Sequence, residues 1–308
     1  MPKVTIIIVL FNGESDIVRC IESIPESTEL DILVIDNCSS DFGPIKVKQL
    51  SRKIQFIPLD KNYGFGYANN IGFKRVLEND TIDFVILLNQ DTIFNKVAFE
   101  ELVALANNNP EYGIISPMQL TLNNEIDERY EKYIKTNADY INDLIHNKTK
   151  KLYPVSFVNA ACWILSRKCI TTIGGFNTKL FFQRGEDNDY CNRAIYHGFK
   201  VGFSPHLSMI HLRTESQVLN FKSFDFRCEM AYWDATLSNI NLSAKQFIKF
   251  FLLRTVDFFN ILLTSINRKN FGQTREILKY LISGQVLPLM KYLKNQRVSR
   301  RVGKNYLD

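Results

Sequence analysis

Apolar runs of two different periods alternate along the first half of the chain. Residues 4–9 are an unbroken run rich in β-branched side chains, which predicts a strand buried on both faces. Ile17, Val18, Ile21 and Ile24 follow at the spacing of one helix face. Further strands are predicted over 32–35, closing on Asp36, over 54–58, and over 84–88, closing on Asn89, Gln90 and Asp91. Helices are predicted over 68–77, with Ile71 and Val76 inward, and over 99–106, and residues 113–116 read as extended. Strand–helix alternation of this kind predicts a mainly parallel central sheet with helices on both faces.

The pattern then changes. Residues 119–153 are polar, with Tyr130, Tyr133 and Tyr140 among charges and asparagines, and read as a partly helical insertion. An apolar run over 155–165 precedes a break at Gly174 and Gly175, and short strands are expected over 201–203 and 207–211. Beyond Ser243 the chain is strongly apolar over 247–253 and 256–266, then basic and helical over about 274–294 with a kink at Pro288. This divides the chain into a body, 1–242, and a helical tail, 243–308.

Composition narrows the class. In 308 residues, 45% are hydrophobic and 23% charged, which excludes a disordered, collagenous or coiled-coil chain. No uninterrupted apolar run reaches the ~18 residues of a simple membrane span, and the N-terminus shows no signal-peptide pattern. Cys20, Cys38, Cys162, Cys169, Cys191 and Cys228 lack CxxC spacing, so reduced packing cysteines in a cytoplasmic protein are expected. The net charge of +6 is uneven: the tail carries 13 Lys/Arg against 3 Asp/Glu, a net +10 over a body of −4. Such a tail meets an anionic partner, membrane phospholipid or nucleic acid, or is simply solvated. Its Phe, Leu and Ile density fits a lipid interface better than a phosphate groove, and helices packed on protein are the bland alternative.

The candidate chemistry sits where an open parallel sheet binds ligands, beyond the carboxyl ends of its strands. Phe11, Asn12 and Gly13 follow the first strand, Asp36 and Asn37 the second, and Asn89, Gln90 and Asp91 the fourth. Each cluster alone is an ordinary turn; their convergence on one rim is the signal. Asp91 could hold a hard divalent cation that also binds diphosphate oxygens. Glu186, Asp187 and Asp189 crowd three carboxylates into four residues, which raises at least one pKa; an exposed acidic helix start is the alternative. His211 ends an apolar segment and becomes a metal-ligand candidate only beside Asp91.

Taken in order, these pieces resemble the inverting glycosyltransferases of family 2, which have the GT-A fold, in the group that includes bacterial rhamnosyltransferases of O-antigen and capsule assembly. The resembling segments are the opening strand to Asn12, Leu33 to Asp41, Asn62 to Gly72, Leu87 to Thr92, Ile173 to Phe182, Gly185 to Arg193, and His211. Together they span roughly residues 3–215. The resemblance implies the GT-A nucleotide-diphospho-sugar transferase fold with a C-terminal helical extension, and inverting transfer from a nucleotide-diphospho-sugar, dTDP-rhamnose first, to a saccharide hydroxyl. It implies Asp187 as base and Glu186 orienting it or the acceptor. Asp91 and His211 would hold Mn or Mg, and Phe11, Asn12, Asp36, Asn62, Gly66, Asn89 and Asp91 would line the donor site. A lipid-linked acceptor would make a peripheral position on the inner membrane face sensible, with no nucleic-acid partner.

One departure stands out: the family's Asp-x-Asp motif reads Asn89-Gln90-Asp91 here, one negative charge short. That keeps open a nucleotide-sugar-binding or scaffold protein on the same fold with a weakened metal site. A dinucleotide oxidoreductase is excluded, because no G-x-G-x-x-G follows the first strand.

Overall fold

The computed structural model of the protein describes residues 2–182, 184–212, 226–282 and 289–307. Its first half is built as the alternation dictates: β1 (Val4–Leu10), α1 (Ile17–Ser23), β2 (Leu30–Asp36), α2 (Gly43–Gln49), β3 (Ile54–Pro58), α3 (Phe65–Leu77) and β4 (Phe84–Asn89). Then come β5 (Thr92–Phe94), α4 (Lys96–Asn107), β6 (Tyr112–Leu120), α5 (Glu128–Ile134), α6 (Ala138–Ile145), β7 (Tyr153–Val155), β8 (Cys162–Ser166), α7 (Arg167–Ile173), α8 (Glu186–Tyr196) and β9 (Lys200–His211). Four more helices follow: α9 (Phe226–Ser238), α10 (Ala244–Asn267), α11 (Phe271–Ile282) and α12 (Leu289–Ser299).

The described strands form one sheet in the order β3-β2-β1-β4-β8-β6-β9-β5, with β7 also on β9. β3, β2, β1 and β4 are parallel. Beyond β4 the sheet turns mixed: β8 is antiparallel to both β4 and β6, while β6 and β9 are parallel. The period-2 rule explains the two core layers. Ile6, Ile8 and Leu10 pack with α1 and α4 on one face. Ile7 faces the other way, into a layer holding Phe73, Val76, Trp163, Phe176 and Tyr190.

Several expectations are corrected. The two short strands expected after residue 200 are one, β9, whose pairing with β6 is interrupted between Ser204 and Ser208. Pro205 lies in that gap, and a residue without an N–H is tolerated at such a bulge. The polar insertion is partly helical as expected, in α5 and α6, and it also places Tyr130 and Tyr140 in the main core. Helix α3 turns Val76 inward as expected, together with Ala68, Gly72 and Phe73, while Ile71 packs against the same core only half-buried. The two apolar runs after Ser243 are the single helix α10, opened by a Ser243–Gln246 capping box. Helices α2 and α7 were not legible in the pattern. Pro288 lies outside the described residues, between α11 and α12. Cys20, Cys38, Cys162, Cys169 and Cys191 are free thiols; the Cys228 side chain is also outside the described part.

The C-terminal segment returns to the body. Gly303 N–H donates to Thr172 O at 2.8 Å, Gly175 N–H to Asn305 O at 2.8 Å, and Asn70 Nδ2 to Tyr306 O at 3.0 Å. Beside this seam lies a buried ion pair, Asp189–Arg193, at 2.8 Å. Arg193 also donates to Ile173 O and Gly175 O and lies against the Tyr190 and Tyr306 rings. Asp189 is therefore a structural member of the acidic cluster. Arg193→Ala leaves that carboxylate buried without its partner and should cost about 3–5 kcal/mol. Urea unfolding checks this, and a loss below about 1 kcal/mol, typical of an exposed pair, would refute the assignment.

Candidate active site

The carboxyl ends of β1, β2 and β4 lie side by side, because Leu10 pairs with Asp36 and Val9 with Asn89. The loops leaving them are cross-tied by carboxamides. Gln90 Oε1 accepts from Phe11 N–H at 2.8 Å, and Gln90 Nε2 donates to Phe11 O at 3.0 Å. Asn37 Nδ2 donates to Asn62 Oδ1 at 2.9 Å, and Asn37 Oδ1 accepts from Tyr63 N–H at 2.9 Å. Together these loops form one wall of a cavity of about 530 Å³.

Asp91 reaches this cavity through the β5–β9 ladder. Thr92 pairs with His211, and Leu212 N–H donates to Asp91 O at 2.7 Å. The His211 ring thereby comes to 3.4 Å from the Asp91 carboxylate, Nε2 to Oδ1. Both residues line the cavity.

Glu186 and Asp187 enter from another element. They open α8 behind Gly185, whose φ of +89° lies in the left-handed region. A Cβ on Gly185 would stand 2.9 Å from the Phe181 ring, so glycine is needed there on both counts. Glu186 is buried, with Oε2 lacking a hydrogen-bond partner among the described residues. Asp187 is half-buried, and its Oδ1 accepts from Asn188 N–H at 2.8 Å. A helix N-terminus favours carboxylate charge, but desolvation wins. Burial pushes Glu186 up to about 7, with the Asp187 charge adding to the rise, and burial pushes Asp187 up to about 6.

Seven of the residues expected at the site line this one cavity: Phe11, Asn62, Asn89, Asp91, Glu186, Asp187 and His211. Three do not. Asp36 Oδ1 accepts from Ser39 N–H at 3.0 Å, and Asn37 stands on the wall next to it. Asn12 Oδ1 accepts from Ser40 N–H at 2.8 Å and ties the first loop to the second. Gly66 lies under Phe176, where a Cβ would stand 3.0 Å from the Phe176 Cβ. These three shape the loops and their packing rather than the wall. Asn37 and Gln90, which stood in the rim clusters without an assigned role, also line the cavity, and Arg129, Asn159 and Arg184 line it unanticipated. Gln90 lay inside a quoted motif, and Arg184 directly precedes one. Arg129 sits in the segment read as an insertion, where nothing in the local pattern marks it.

The profile of glycosyl transferase family 2 matches residues 5–174, more than half of the chain. The chain belongs to glycosyl transferase family 2. The low-salt glycan biosynthesis hexosyltransferase Agl10 of Haloferax volcanii is 27% identical over 235 residues, covering 74% of each chain. Two solved structures share the fold. The mannosyltransferase PcManGT of Pyrobaculum calidifontis, in complex with GDP-Man and Mn²⁺, aligns with a TM-score of 0.58 at 13% identity over 97% of this chain and 87% of its own. S. aureus TarS 1-349 with UDP-GlcNAc aligns at 0.53 and 14% identity over 92% of each. The GT-A architecture expected from the motifs is thus the architecture observed.

The donor set of this family 2 chain fits a hard divalent cation held jointly with a ligand. Among the described residues no group of three or more His, Cys, Asp or Glu side chains is placed to hold a metal alone. Asp91 and His211 offer one carboxylate and one imidazole toward the cavity. Mg²⁺ characteristically takes one or two carboxylates and completes its shell with phosphate and water oxygens, and imidazole also suits Mn²⁺. Asn89 lines the same wall as a neutral neighbour.

The buried acid also predicts a pH effect on stability. Glu186 rises from 4.5 to about 7 on folding. Between those values the folded state binds the proton more tightly, so stability falls as pH rises through that window. Glu186→Gln removes the buried charge. It should raise Tm at pH 8 by a few degrees, roughly what 1 kcal/mol does in a chain of this size, and flatten the pH dependence of Tm. An unchanged or lowered Tm at pH 8, measured by scanning calorimetry, would contradict the desolvated carboxylate.

Proposed function

We propose that this family 2 glycosyltransferase moves a sugar from a nucleotide-diphosphate donor to a hydroxyl of a saccharide acceptor, with inversion at the anomeric carbon, in surface-glycan synthesis. The carrying observation is that Asp91 with His211, and Asp187 with Glu186, line one cavity from separate elements. A donor whose diphosphate lies at the Asp91–His211 end, with a cation between them, would present its sugar toward α8. Phe11, Asn37, Asn62 and Asn89 form the donor wall.

Asp187 is the base in this reading. Its raised pKa makes it a stronger proton acceptor while leaving it largely ionised near pH 7. It takes the proton from the acceptor hydroxyl as that oxygen bonds to the anomeric carbon and the diphosphate departs from the opposite face. Glu186 keeps its proton to higher pH and orients the acceptor or Asp187. Asp91 and His211 would hold a divalent cation, which would supply positive charge to the departing diphosphate.

The catalytic unit in this reading is residues 1–242, with 243–308 as an extension. The resemblance to rhamnosyltransferases makes dTDP-rhamnose the first donor to test, with UDP-hexoses and UDP-galactofuranose as alternatives, and a lipid-linked saccharide as acceptor would place the enzyme at the cytoplasmic membrane face. The name of Agl10, a glycan biosynthesis hexosyltransferase, supports the saccharide class. A thermal-shift screen of dTDP-rhamnose, UDP-GlcNAc and GDP-mannose, each with and without Mn²⁺, tests the donor. One nucleotide sugar should raise Tm, and more so with Mn²⁺. Failure of every donor to shift Tm or to be consumed would overturn the enzymatic reading.

A further inference from the structure

The C-terminal helices carry a second apolar face that the fold leaves open. Helix α10 buries Phe247, Arg254, Phe258 and Ile261, and these pack with α9, α11 and α12 through Phe226, Trp233, Ile277 and Tyr292. That face accounts for its place in the fold. A different stripe of the same helix, Ile248, Leu252, Val256, Phe259, Leu263 and Ile266, is exposed, each residue between 47 and 60%. The spacing of three and four puts these six along one side of the helix. Neighbouring α11 exposes Phe271 and Ile282 at 79 and 84%, and α12 exposes Met290 at 76%.

Charge surrounds this surface. Lys245 and Lys249 stand at the start of the stripe, Arg268 and Lys269 at its end, and Arg275 and Lys279 on α11, all exposed. Helix α9 packs on catalytic helix α8 and on α10. The surface therefore sits one helix away from the acid pair. No helix among the described residues is long and apolar enough to cross a membrane.

We propose that the exposed stripe of α10, with the adjoining α11, is a docking surface for anionic phospholipid. The helices lie in the plane of the interface, apolar side chains among the acyl chains and lysines and arginines at the headgroups. A helix apolar on two faces, one used by the fold and one ringed with cations, suits this solvent boundary. A second copy of the chain is a poorer occupant. Two-fold pairing through the stripe would bring like basic rims together, on an extension already carrying +10. The lipid-linked acceptor proposed above gives this docking a purpose, but the binding itself stands on the surface and not on that reading.

Flotation of the full chain tests it, on vesicles of phosphatidylglycerol with phosphatidylcholine against phosphatidylcholine alone. The protein should float with the anionic vesicles, little with the neutral ones, and less as salt rises. Leu252→Glu with Phe259→Glu should cut the bound fraction about tenfold and leave the melting curve in place, since both side chains are exposed. Lys245→Gln with Lys249→Gln should weaken binding without touching the apolar stripe. Absence from the anionic vesicles, equal binding to neutral ones, or indifference to the double glutamate would overturn the proposal. So would a dimer in light scattering that the double glutamate dissolves. Donor hydrolysis measured without vesicles keeps the two readings apart. Hydrolysis without flotation sinks only the docking surface, and flotation without hydrolysis sinks only the catalytic assignment.

Discussion

Asp187→Asn should reduce sugar transfer by about 10²–10⁴-fold, the usual worth of a positioned general base, while leaving donor affinity within about twofold, because the substitution keeps the side chain's size and its hydrogen-bonding reach. Stability should not fall. The wild-type carboxylate is raised from 3.8 to about 6 by burial, so folding works against its charge, and the neutral amide removes that cost above pH 6. The wild-type rate should decline on the acid side with a midpoint near that same value, and this limb should vanish in the residual activity of the variant. Measuring kcat, donor Kd and Tm together separates a lost base from a damaged fold. Normal turnover in Asp187→Asn would reassign the base.

Asp91→Ala should produce the complementary loss. Donor affinity in the presence of Mn²⁺ should drop about 10–100-fold, the equivalent of one charge-assisted contact. The difference between Mn²⁺ and chelator should disappear. The local fold should survive, because the Asp91 backbone carbonyl, which accepts from Leu212 N–H at 2.7 Å, is untouched. Calorimetric titration of the donor with and without metal reads both effects. A metal response identical to wild type would mean that Asp91 does not hold the cation.

The sheet was legible because burial on both faces writes itself into the chain. Residues 84–88 have no polar interruption and residues 4–9 only Thr5, itself β-branched, and the two pair in parallel at the centre of the sheet. Helix α7 was missed because only Cys169, Ile170 and Ile173 face inward in seven residues, too few to display a period. The β9 strand was split because Pro205 reads as a breaker, while β6 accommodates it as a bulge. At the site, charged residues at strand ends and in the Gly185–Asp189 block were visible. The carboxamide ties were not. Nothing in the local pattern around Gln90 reveals that it pairs with Phe11, 79 residues away. Asp36 is the reverse case: it looked from the sequence like a group facing the ligand, yet it is not among the residues lining the cavity, and its Oδ1 accepts from Ser39 N–H. The acidic cluster likewise divides only in three dimensions, with Asp189 locked to Arg193 and its two predecessors left to the cavity.

In the proposed mechanism one cavity holds an activated sugar between the Asp91–His211 pair and the Asp187 carboxylate. A crystal structure of Asp187→Asn with Mn²⁺ and the donor from the thermal-shift screen tests it most directly, since the variant should hold the donor unreacted. An anomalous manganese peak beside Asp91 and His211, with the sugar directed toward residue 187, is the expected result. Manganese bound elsewhere, or a sugar turned away from α8, would contradict it.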